Sequence, residues 1–161
     1  MSLPPVPAKN NTAIAAFVIF AAAAALVVAA AVLTKNSPAA NQTPEVVIGG
    51  KTIAVEVAAD NAARKKGLSA RQTISGGMLF VYDAPQEICL WMQNTYISLE
   101  ALFLDAGGNI INAAQMIPHT TNPHCSTAAA KYALELPSDW RRQNGVQDAD
   151  KVVLPKTGGA G

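Results

Sequence analysis

Hydrophobic and polar positions change their spacing several times along this chain, and each change marks an element. From Ala13 to Leu33 no charged or polar side chain interrupts the sequence. A helix of that length reaches about 30 Å, the depth of a bilayer's hydrocarbon core. The pattern therefore predicts a single transmembrane helix over residues 13–33, behind a cytoplasmic leader of residues 1–12. The run exceeds a signal-peptide core of about 7 to 15 residues, so an uncleaved anchor is expected. Cleavage near Ser37-Pro38-Ala39-Ala40 is the competing reading. Residues 34–44, TKNSPAANQTP, carry no apolar period and read as a linker.

Beyond Glu45 the spacing becomes that of strands. Gly49-Gly50 divides VVI from KTIAVEV, a hairpin signal because both glycines accept positive φ. Asp60 caps a short helix through Lys66, and Gly67 ends it after Arg64, Lys65 and Lys66, a basic trio that suits a solvated helix terminus. Residues 78–82, MLFVY, form an unbroken apolar run expected to be covered on both faces, with Asp83-Ala84-Pro85-Gln86 as a turn. From Glu87 to Gln93 the chain alternates, with Ile88, Leu90 and Met92 on one face and Cys89 and Trp91 on the other. Leu99–Asp105 and NIINAAQM form a hairpin about Ala106-Gly107-Gly108-Asn109, and Ile117–Thr127 is a long connection. A strand over 131–137, a helical turn between Ser138-Asp139 and Gly145, and a short strand at 151–154 complete the order. The expected fold is mainly β (α+β): a small partly closed barrel or sandwich with two short helices, spanning residues 45–155. Residues 156–161 read as a flexible tail.

Composition narrows the function classes. Twelve basic residues against eleven acidic ones leave a formal charge of +1, which argues against a nucleic-acid partner. Half the residues are hydrophobic and only 14% charged, as a membrane segment would produce. The glycine pairs lack the strand, loop and helix context of a phosphate cradle, and no cofactor motif is present.

Four motifs in order, GGMLFVY, ICLWMQNT, ALFLDAGGNII and KYALEL, resemble the family catalogued as domain of unknown function 192. The resemblance runs from Ile48 to Leu154. It implies a compact β-rich domain, often exported or membrane-tethered in bacteria and archaea, with no common activity. Gly67-Leu68, Arg71, Gly77 to Phe80, Trp91-Met92, Asn94-Thr95, Leu99 and Asp105 fall where the family's characteristic residues fall. Ser69, Gln93 and the segment Ile97-Ser98-Leu99-Glu100 depart from it. At Gln93 relatives carry lysine or arginine, so this copy lacks a charge there.

Candidate chemistry is sparse. Cys89 and Cys125 are the only cysteines, and in an exported domain a disulfide is the simplest reading, ahead of two buried thiols or a catalytic thiol served by His119 or His124. The same two histidines are weak metal candidates, because their spacing matches no standard zinc pattern. Arg71, Trp91, Gln93, Asn94 and Glu100 are the candidate ligand-binding residues. Glu100, Asp105 and Glu135 are the carboxylates expected near the sheet, one of them paired with Arg71 or Lys131, while Trp91 with Met78, Phe80 and Tyr82 reads as core.

No complete catalytic constellation emerges. The leading expectation is a non-enzymatic accessory protein of the bacterial inner membrane. It passes the bilayer once and carries its domain in the periplasm, where that domain docks on or helps assemble a larger complex, respiratory or photosynthetic. The alternative is a periplasmic module that binds a sugar or peptide, and an enzyme of unknown reaction comes third.

Overall fold

The computed structural model describes residues 43–155. The expected leader, transmembrane helix, most of the linker and the tail lie outside these residues. Among the described residues no helix is long and apolar enough to cross a membrane.

The chain opens with β1 (Glu45–Ile48) and β2 (Lys51–Ala58), paired antiparallel about Gly49-Gly50 with Ile48 opposite Lys51. Both glycines have positive φ, as the hairpin signal requires. Helix α1 (Asn61–Lys66) follows, capped by Asp60, whose carboxylate accepts from the Ala63 amide at 2.8 Å. It carries the chain across to β3 (Gly77–Gln86), which lies parallel to β2. Then come β4 (Cys89–Leu90), β5 (Leu99–Leu104), β6 (Ile110–Met116), β7 (His124–Cys125), β8 (Ala130–Pro137), α2 (Trp140–Asn144) and β9 (Val152–Val153).

Seven strands make one sheet in the order β6-β5-β8-β3-β2-β1-β9, while β4 and β7 pair separately. The sheet curls into a half-barrel. Its two edges meet where the Val152 amide donates to the Gly108 carbonyl at 2.8 Å, joining β9 to the β5–β6 hairpin. This curl selects the partly closed barrel over the sandwich.

The curled sheet is apolar on both faces. One face gathers Met78, Phe80, Leu90, Met92, Phe103 and Ala133, and the other gathers Ile48, Val55, Leu79, Leu102, Leu134 and Val152. Leu99 to Leu104 is consequently buried at every position. That is why the apolar runs in β3 and β5 do not alternate.

Three expectations are corrected. Asp83-Ala84-Pro85-Gln86 is no turn but the exposed end of β3, reached through a register shift between Val81 and Gln86. Only Cys89 and Leu90 of the alternating segment pair as a strand, although Ile88, Leu90 and Met92 are all buried. Alternation reports burial, and burial needs no ladder. Trp91, expected in the core, is 59% exposed, because the segment lies over the barrel rim instead of inside the sheet.

Candidate functional site

An open cavity of about 530 Å³ sits where α1, the interior strands β3 and β8, and the segment after β4 converge. That volume falls within the range of small-molecule sites. Leu68, Phe80 and Leu90 supply apolar lining, Tyr82 and Trp91 aromatic surface, and Arg64, Lys65 and Lys66 a basic wall.

Glu135 also lines this cavity, and it is the least expected of the lining residues. On β8 it stands opposite Met78 of β3 and Ala101 of β5, on the same face as Ala133 and Phe80. Its residue is only 5% exposed, and its Oε2 has no hydrogen-bond partner among the described residues. Burial pushes its carboxyl up to about 8, so the group is mostly protonated at neutral pH. In that form it offers one O–H donor as well as an acceptor. Burial also raises the Tyr82 hydroxyl, an effect that the Arg64 charge opposes and Glu135 reinforces.

The basic wall is ordered by local bonds. Arg64 donates to the carbonyl of Val81 at 2.7 Å and lies over the Tyr82 ring, 4.8 Å from its centroid. Lys65 and Lys66 stay exposed beside it. The opposite rim is held by two backbone devices. The Ala70 amide donates to the Asn94 carbonyl at 2.7 Å, and the His119 amide donates to Thr95 at 3.2 Å. Ala70, Asn94 and His119 all have positive φ, a conformation that costs a non-glycine residue about 1 kcal/mol or more. The described residues with that strain thus cluster around one rim.

Cys89 and Cys125 stand opposite each other in the β4–β7 pair and form a disulfide. Cys89 lines the cavity, so the bond staples one wall. Loss of this staple would free Trp91, Gln93 and Asn94 together.

The predicted ligand-binding residues divide. Trp91, Gln93 and Asn94 meet at the cavity. Arg71 does not line it and forms a two-pronged ion pair with Glu56, one contact at 2.7 Å. Glu100 lies elsewhere, buried against Arg141 at 3.2 Å beside a smaller hollow that includes Ser138 and Arg142. Burial holds the Glu100 carboxyl above its usual value, with Arg141 opposing. The expected pairing of Arg71 or Lys131 with Glu100, Asp105 or Glu135 is therefore corrected: Arg71 takes Glu56 on β2, and Lys131 donates to the Asp83 carbonyl at 2.7 Å. Asp105 accepts from the Gly107 and Asn109 amides and closes its own turn, and its bond to the Asn109 side chain leads the effects that hold its carboxyl below the usual range.

His119 packs edge-on against Tyr96 with ring centroids 4.6 Å apart, and His124 stands opposite Leu90. The group of possible metal ligands among the described residues is Glu87, Cys89 and Cys125, and its two sulfurs are already bonded to each other. Neither histidine belongs to it.

Sequence reasoning missed Glu135 as the cavity floor. Its signal was present: a glutamate inside KYALEL, between Leu134 and Leu136, on a strand where both faces are covered. The basic trio was read as a helix terminus, and only the packing of α1 against the sheet turns it towards a cavity.

The family model DUF192, described as "Uncharacterized ACR", matches residues 44–154. A protein from Sinorhizobium meliloti 1021, described provisionally as a transcription regulator, is similar in structure with a TM-score of 0.65 at 29% identity. The match covers 69% of this chain and 92% of that one. A protein of unknown function from Novosphingobium aromaticivorans DSM 12444 gives a TM-score of 0.64 at 25% identity, over 72% and 89% of the two chains. No curated protein matches the chain.

Proposed function

We propose, from the premise that this chain belongs to the DUF192 family, that its β-rich unit is a non-enzymatic binding module for a small polar molecule of the sugar or peptide class. The observation that carries this reading is the buried Glu135 carboxyl at an open cavity, whose Oε2 has no hydrogen-bond partner among the described residues. An unpaired buried polar group costs about 1–3 kcal/mol, a cost that a ligand hydrogen bond would remove. Exposed Trp91 with Gln93 and Asn94 adds the mixture of apolar surface and polar groups such sites use.

The module is carried by the apolar segment 13–33 in a bacterial inner membrane, with the domain in the periplasm. The apolar run supports the anchor, and the Cys89–Cys125 disulfide supports an oxidising compartment. Docking to a membrane complex rests on the anchor, the lack of a complete catalytic constellation in the sequence and the altered motif positions, so the cavity ranks ligand binding ahead of it. The formal charge of +1 offers no support for the regulatory description of the Sinorhizobium protein here.

A ligand screen by tryptophan fluorescence tests the reading, using the full chain in mild detergent and Trp91→Phe as control. A saturable change with a sugar or short peptide, lost in the control, supports it. Silence across a broad library, with calorimetry also flat, sinks it.

A further inference from the structure

The same cavity carries information about the charge and shape of its occupant. Its basic side is Arg64, Lys65 and Lys66, contributed by consecutive positions of α1. Arg64 is engaged by the Val81 and Ala59 carbonyls and by Asn61, whereas Lys65 and Lys66 are exposed. Among the described residues, no acidic one other than Glu135 lines the cavity. With Glu135 mostly protonated, the charged side chains lining the opening are Arg64, Lys65 and Lys66, which disfavours a cationic ligand and draws an anionic one.

Shape argues for a sugar over an extended peptide. The strands behind the cavity, β3 and β8, are interior to the sheet and have neighbours on both sides, so no open edge is available for strand addition. What the cavity offers instead is an exposed indole at Trp91, two side-chain amides at Gln93 and Asn94, and the Glu135 carboxyl deeper in. A pyranose ring presents apolar C–H faces to stack on an indole, and hydroxyls that both donate and accept to amides and a carboxylic acid.

Resting on the binding reading above, we infer that the cavity takes an acidic sugar. Its ring stacks on Trp91, its hydroxyls bond to Gln93, Asn94 and Glu135, and its carboxylate faces Lys65 and Lys66. The lysines act by charge, so their contribution weakens with salt. The floor acts by hydrogen bonding, so its contribution persists in salt.

Calorimetric titration of the full chain in mild detergent with trigalacturonate, maltotriose and spermidine tests this. Trigalacturonate is expected to bind at least about tenfold more tightly than maltotriose at low salt, with spermidine silent. That preference collapses at about 0.5 M salt and in the Lys65→Gln/Lys66→Gln variant. Glu135→Leu, whose side chain suits its apolar neighbours, lowers affinity for trigalacturonate about tenfold at both salt concentrations. Equal or tighter binding of maltotriose or spermidine overturns the acidic-sugar inference and leaves the binding module standing. Silence of all three probes also overturns it, and if a broad sugar and peptide library is silent as well, the binding module falls with it.

Discussion

Glu135 stands opposite Met78 in the β3–β8 register, so a carboxyl sits beside a thioether and its Oε2 finds no partner among the described residues. A sheet covered on both faces would ordinarily fill this position with an apolar side chain. Stability is therefore expected to depend on pH through this group. Below the ordinary glutamate value of 4.5 the carboxyl is protonated in both folded and unfolded chains, and its contribution is at its most favourable. Between 4.5 and about 8 the unfolded chain has released a proton that the folded chain keeps, so stability falls by up to about 1.4 kcal/mol per pH unit. Above about 8 the loss levels off. Urea midpoints of the wild type and Glu135→Gln between pH 5 and 9 check this, since the variant should show a much shallower slope.

Removing the disulfide is expected to loosen the cavity wall as well as the fold. Closing a loop with a sequence separation of 36 stabilises by about 4 kcal/mol in the chain-entropy model. Cys89→Ser/Cys125→Ser should lose about that much in urea denaturation. Hydrogen exchange in residues 88–96 should quicken more than in β5, whose neighbours are intact.

Arg141 lies between a buried and an exposed acid. It pairs with Glu100 at 3.2 Å and with Asp148 on the surface. Arg141→Ala strands the Glu100 charge and is expected to cost about 3 kcal/mol. Glu100→Gln/Arg141→Met should cost less than that single change, because no uncompensated charge remains. Thermal or urea melts of the single and double variants measure the difference.

Gly108 has positive φ, and any Cβ placed there would meet the Val152 carbonyl. Gly108→Ala is therefore expected to break the bond that joins β9 to the β5–β6 hairpin, at a cost of about 2 kcal/mol. Exchange of the Val152 amide, read by NMR, should become fast while that of β8 stays slow.

The Ala70 amide that holds Asn94 also makes a local prediction. Ala70→Val places a β-branched side chain at a φ of 65° and is expected to cost about 1–2 kcal/mol. Melts should show that loss, and Trp91 fluorescence should report the displaced rim.

Much of this fold was legible from local pattern. The Gly49-Gly50 hairpin, the Asp60–Gly67 helix and the β5–β6 hairpin each follow from turn and cap residues acting on their neighbours. The apolar run of β3 foretold a strand covered on both faces, whereas β5 was legible as a strand and its burial at every position was not. Cys89 and Cys125 were paired by count, and the separate β4–β7 pair sets them opposite each other. Of the candidate site, Trp91, Gln93 and Asn94 were legible because they share one short segment.

Tertiary structure alone decided the rest. It separated Arg71 and Glu100 from that trio, giving one to Glu56 and the other to Arg141. It lifted Trp91 out of the core, and it placed Glu135 where no partner among the described residues reaches Oε2. The reason is that periodicity records whether a position is covered, through short-range preferences that each segment carries by itself. Which groups share a cavity depends on strand order and on the crossover through α1, and those are set by contacts between residues far apart in the chain.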